Sequence, residues 1–177
     1  MTAELVERGP RLGVDVGSVR VGLATSDPDG VLATPVATLP RGNGDVAAIV
    51  SEVRERGART VYVGLPRHLS GAEGTSAAAA RAYASILAQA VAPVPVRLVD
   101  ERMSTVSAHR ALTESGKPGR QHRSVVDQAA AVVILQDALD AERATGRRPG
   151  ERVGAEPLGG AHGGHADRLD DTGVTDW

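Results

Sequence analysis

Four acidic residues offer this chain its chemistry: Asp15, Asp100, Glu101 and Asp127. Asp15 stands in LGVDVG among Leu12, Val14 and Val16. A carboxylate in an aliphatic strand is disfavoured and needs a cation, a donor or a metal beside it. Asp100-Glu101 ends a second apolar run, Val94 to Val99, and Asp127 opens a helical one. Ala130, Ala131, Ile134 and Ala138 follow Asp127 at i+3, i+4, i+7 and i+11, on one face. The two alanines allow that helix close to a sheet, which would carry Asp127 toward Asp15. Converging carboxylates repel unless cations intervene, and an oxygen-only set without Cys favours Mg²⁺ or Mn²⁺. Two such ions roughly 3.5–4 Å apart are the usual clamp for in-line phosphodiester hydrolysis. One activates water and the other stabilises the leaving oxygen. The stretch Gly116 to Arg123, with Lys117, Arg120 and Arg123, would hold a nucleic-acid backbone by its phosphates. Arg20 suits a strand face, a phosphate or a carboxylate equally.

Each piece also has a plainer account. Ser124-Val-Val-Asp127 fits a capping box. Asp100 and Glu101 can end a strand and pair with Arg102. The Lys117–Arg123 stretch can be a solvated loop. His68 follows a strand end but reads as a surface histidine. His162 and His165 have ligand spacing in a stretch with no helical pattern. Asp15 is the hardest to explain away, because it is apolar on both sides.

The elements that must position these residues follow from periodicity. Strands are expected at Arg11–Val16, Val19–Ser26 and Val31–Leu39, the last an edge strand because of Pro35. The turn Asp27-Pro28-Asp29-Gly30 joins the second to the third. Val46, Ile49, Val50 and Val53 give a helix ending at Gly57. Strand Thr60–Leu65, an Ala-rich helix Thr75–Val91 and strand Val94–Val99 come next. A helix is expected over Ser104–Ser115, then the Gly116–Arg123 loop, then a last helix from Ser124 to about Ala144. Three short-turn strands followed by two crossovers imply a mixed five-stranded sheet flanked by helices, an α/β fold.

Hydrophobic residues make up 41% of the 177 and aromatics 2%, with no Phe, so the core must be aliphatic. Residues 1–9 read as a flexible start, 10–144 as one domain, and 145–177 as a Gly- and charge-rich tail unable to offset chain entropy. With no Cys, no apolar signal core and no bilayer-length run, a cytoplasmic protein without membrane contact is expected. The net charge of −2 makes any nucleic-acid site a local basic patch.

With these residues in view, the chain resembles the YqgF/RuvX family of RNase H-like proteins, relatives of the RuvC resolvases. The matching segments are Gly13-Val-Asp15-Val-Gly17-Ser-Val-Arg20-Val-Gly22, Val63-Gly64-Leu65-Pro66 with Gly71, Asp100-Glu101-Arg102-Met-Ser-Thr105, and Val126-Asp127-Gln-Ala129-Ala130 with Ile134-Leu135. They span about residues 11–140. The resemblance implies an RNase H-like fold and a metal-dependent nuclease with Asp15, Glu101 and Asp127 as catalytic ligands and Asp100 adjacent. It further implies action on the 5′ end of precursor 16S rRNA, or on Holliday junctions. Met103-Ser104 departs from the Leu-Thr pair common in the family. A monomer or a homodimer fits, and a resolvase needs two sites facing one junction.

Two other classes compete. An actin-like ATPase fragment also opens on an Asp-x-Gly-Ser hairpin, but it needs a second copy of the fold, and no second Asp-x-Gly hairpin follows. A non-catalytic RNA-binding module would stack bases on aromatics, and the domain offers only Tyr62 and Tyr83.

Overall fold

The computed structural model describes residues 6–101 and 120–154, with side chains of the last helix described from 127 onward. The elements are β1 (Arg11–Val16), β2 (Arg20–Ser26), β3 (Ala33–Pro40), α1 (Asp45–Arg56), β4 (Thr60–Leu65), α2 (Thr75–Val91), β5 (Val96–Asp100), α3 (Arg120–Thr145) and β6 (Glu151–Arg152). The sheet runs β3-β2-β1-β4-β5-β6. β1 pairs antiparallel with β2 and parallel with β4, so β1 is central. β3, carrying Pro35, is an edge strand. The α/β arrangement with a mixed sheet forms as expected, with one strand more than the five anticipated.

Alternation along the central strands sorts side chains to two layers. Leu12, Val14, Val61, Val63, Leu65, Val96 and Leu98 face α1 and α2, where Ile49, Ala84 and Leu87 complete the main core. Ala24 and Tyr62 face α3 and meet Ala131, Leu135, Ala138 and Leu139. The second layer is thin because the sheet contributes small residues there. A Cβ at Gly13 would lie 2.7 Å from Leu135 Cβ, and one at Gly22 would lie 2.2 Å from the Asp127 carbonyl oxygen. The helix therefore rests directly on the β1–β2 backbone.

Two expectations need correction. The last helix begins at Arg120, so Arg120 and Arg123 are helical rather than in a loop. Gly116, Pro118 and Gly119 suggested a break reaching further, but Arg, Gln and His tolerate a helix well. Asp127 thus lies in the third turn, and Ser124 stands inside the helix rather than at its N-terminus. The second concerns the stretch from 145 onward: its first residues are ordered as far as described. Arg97 donates to the carbonyls of Pro149 and Gly150 at 2.7 Å each, and the Val153 amide donates to Val96. These bonds lay β6 against β5. The expected helix at Ser104–Ser115, Lys117, His162 and His165 lie outside the described residues.

Candidate active site

Asp15 is 2% exposed, one residue before the end of β1. Its ladder partner on β2 is Gly22. On the other side the β1–β4 register runs to Val14↔Val63, and the next step places Gly64 beside Asp15. The aspartate therefore stands between two glycines, on the face that α3 covers. Each glycine leaves a space that a neighbouring residue fills, by its backbone at Gly22 and by its carboxylate at Gly64. The Asp127 backbone occupies the position of a Gly22 Cβ, and Glu101 Oε1 lies 2.2 Å from where a Gly64 Cβ would be. Neither glycine is there for a positive φ; both are there because something else needs the room.

Along this row the Asp127 backbone and the Glu101 carboxylate lie against the two glycines that flank Asp15. The same row separates Asp100 from Glu101. Asp100 is the last residue of β5, paired with Leu65, and takes the opposite side of the pleat from Val99. Its carboxylate lies 3.9 Å from Arg67 Nη1. Glu101, just past the strand, turns onto the α3 face over Gly64 and is 5% exposed. Of the adjacent pair, Glu101 shares the face of Asp15.

Asp127 is held by a cation. Arg20 Nε donates to Asp127 Oδ2 at 3.0 Å, with both side chains a little over one-quarter exposed. Arg20 begins β2 directly above Gly22, so the pair spans the same row. Among the described residues, no group of three His, Asp or Glu stands ready to hold a metal. Carboxylate oxygens are the donors a hard divalent ion takes, and Asp15 and Glu101 offer them from one face of the sheet. What differs from a ligand set is side-chain geometry, since Asp127 points to Arg20.

A groove of about 320 Å³ opens beside Glu101, between Ile134 and Ala138 of α3 and Pro149-Gly150. Asp137 lines it, and burial, with Asp140 nearby, pushes its carboxyl upward from the ordinary range. Tyr62 and Tyr83 are fully or nearly buried. Neither offers a ring for a base, which weighs against the stacking module. His68 is exposed in the turn after β4, as a surface histidine should be.

Sequence reasoning missed the buried cluster at the far end of α3. Arg11 Nη2 donates to Glu142 Oε2 at 2.8 Å, and Tyr62 Oη donates to Glu142 Oε1. Burial and the Glu142 carboxylate both push the Tyr62 hydroxyl's pKa upward. No local signal announces the cluster. It also missed Arg67, whose position after the β4 end was the only hint.

A family model described as "RuvX: Holliday junction resolvase" matches residues 9–141. A protein of Nocardioides sp., named "Putative pre-16S rRNA nuclease", is 58% identical over 150 residues, covering 82% of this chain and 96% of that one. One of the same name from Kineococcus radiotolerans is 59% identical over 154 residues, covering 85% and 81%. Among solved structures, Thermus thermophilus RuvC in complex with a Holliday junction substrate aligns over 80% of this chain and 99% of its own. Its TM-score is 0.48 at 16% identity. That likeness speaks to neither substrate nor site. The match over most of the domain and the identity to the Nocardioides and Kineococcus proteins place this chain in the RuvX family, and it is a nuclease, a hydrolase of phosphodiester bonds.

Proposed function

We propose that this nuclease trims precursor 16S rRNA in the cytoplasm, with Asp15, Glu101 and Asp127 as its catalytic carboxylates. The observation that carries the site assignment is the row Gly22–Asp15–Gly64, whose two side-chain spaces are taken by Asp127 and Glu101. The names of the relatives support the RNA. The family description favours a second substrate, the Holliday junction.

Asp15, Glu101 and Asp127 would hold Mg²⁺ or Mn²⁺, two ions when substrate is present, and Asp100 stands by as an outer ligand. When bound, such ions supply a water acidified to hydroxide and charge stabilisation for the leaving oxygen. The chain's own part is positioning. Asp15 is fixed by strand pairing on both sides, and Glu101 is wedged between the Gly64 backbone and Ile134. Asp127 is the adjustable member, because its partner Arg20 is partly solvated and can exchange it for a phosphate oxygen. Arg20 then holds the substrate backbone beside the cut. Arg120 and Arg123, in the first turns of α3, and Lys117, which precedes the helix in sequence, would extend that hold.

The test is incubation of the protein and its Asp15→Asn variant with precursor 16S rRNA and with a four-way junction, with and without Mg²⁺. Cleavage of the RNA should require Mg²⁺ and fall by at least about 100-fold in the variant, with an unchanged circular dichroism spectrum. Full activity of Asp15→Asn would overturn the site. Cleavage of the junction alone, by a dimer, would move the substrate to DNA.

A further inference from the structure

The carboxyl rim of the sheet is acidic at its centre. Asp15, Asp100, Glu101 and Asp127 all lie along it, and their summed negative field opposes an approaching polyanion even though Asp15 and Glu101 are buried. A nucleic-acid strand can settle there only if cations flank the acids. Across the strand order β2-β1-β4, Arg20 begins β2 on one side of Asp15, and Arg67 stands two residues past β4 on the other. Neighbouring strands are about 4.8 Å apart, so the two arginines rise from strands about 10 Å apart with the aspartate between them. One backbone can reach both.

Arg67 has a feature that Arg20 lacks. Its Nε is buried and has no hydrogen-bond partner among the described residues. Its Nη1 is 3.9 Å from Asp100 Oδ2, beyond hydrogen-bond range. Nearby Glu73 is bonded instead to Arg81, at 2.6 Å, and that bond is the main reason its carboxyl is held low. A buried guanidinium N–H is normally satisfied, since leaving it bare costs a desolvation penalty. About a quarter of the side chain still faces solvent. A fork-shaped donor with an unfilled site, at the rim of an acidic centre, matches the geometry of a phosphate.

We propose that Arg67 is a second phosphate-holding residue, taking the substrate backbone on the β4 side of the cut while Arg20 takes it on the β2 side. This rests on the nuclease site proposed above. The ion pair with Asp100 is the resting contact that phosphate replaces.

The test uses the full chain carrying Asp15→Asn, so that nothing is cut, with precursor 16S rRNA and a four-way junction in EDTA across a salt series. Adding Arg67→Gln should weaken binding about tenfold and lower the log–log salt slope by about one, with an unchanged melting temperature. Arg67→Lys should restore the slope but not all the affinity, because the fork is lost. Adding Asp100→Asn instead should tighten binding, since it frees Arg67 and removes a negative charge. If Arg67 served only to hold Asp100 in place, Asp100→Asn and Arg67→Gln would weaken binding alike, and the proposal fails. Unchanged affinity and slope in Arg67→Gln, with the parent still binding, overturns Arg67 alone. A parent that binds neither nucleic acid overturns the nuclease site as well.

Discussion

The two ends of α3 each carry an arginine–carboxylate pair, and the pairs differ in almost everything else. At the site end, Arg20–Asp127 joins β2 to the helix at 3.0 Å with both partners partly wet. Fifteen residues on, about 22 Å along the helix, Arg11–Glu142 joins β1 to it at 2.8 Å with both side chains at most 4% exposed. Arg11 is further bonded to the Gly9 carbonyl, at 2.5 Å, and Tyr62 completes Glu142 from below. The buried pair has no water to exchange with, so breaking it strands a charge. The wet pair loses little when it opens. One end of the helix is bolted to the sheet and the other is able to release its carboxylate, which is what a ligand for a transient ion needs.

The largest effect should come from unbolting the far end. Glu142→Ala leaves Arg11 without its carboxylate and Tyr62 without its acceptor, both buried. It should cost about 3–5 kcal/mol, a fall of roughly 10 °C in melting temperature. Replacing the pair together, as Arg11→Met with Glu142→Leu, should return most of that loss, because well-packed apolar side chains often match a buried ion pair. A double variant as unstable as the single would mean that the cluster does more than join helix to sheet.

The site end should show the reverse pattern. Asp127→Asn removes a pair worth no more than about 1 kcal/mol at this exposure, so melting shifts by at most about 4 °C. Cleavage should nevertheless fall by 100-fold or more, since a ligand is gone. If Asp127→Asn instead unfolds the protein as Glu142→Ala does, the two ends are alike and Asp127 is structural.

The same contrast explains how much could be read from sequence. The strands came through because β-branched alternation is strong, and α2 because alanines run from Ala77 to a proline stop after Val91. Asp15 was visible because an acid in a strand violates its surroundings. Which of Asp100 and Glu101 shares the face of Asp15 is not written in local spacing, because it depends on pleat parity at the end of β5 and on the space above Gly64. Glu142 carries no local mark of burial, and its partner Arg11 lies 131 residues away. β6 was missed because Glu151-Arg152 has no apolar pattern and is held by hydrogen bonds from Arg97 to its approach. Contacts that close over long separations leave no local trace, whereas local violations do.

The smallest effect belongs to a carboxylate that neither pair includes. Asp27 accepts from the amides of Asp29, Val31 and Leu32 at 3.0, 2.9 and 2.7 Å, closing the β2–β3 turn. Those amides, Leu32 first, hold its carboxyl below the ordinary aspartate value. A group whose folded pKa is depressed contributes stability above its unfolded pKa and loses it as pH falls through the folded value. Asp27→Asn should therefore melt slightly lower than the parent at pH 7, by about 1–2 °C given the exposure of the turn. The gap should close as pH falls below the ordinary aspartate range and the parent's carboxyl protonates. Because other carboxylates titrate identically in both proteins, the difference between the two curves isolates Asp27. A gap that stays constant down to pH 2 would show that shape, and not charge, is what Asp27 gives the turn.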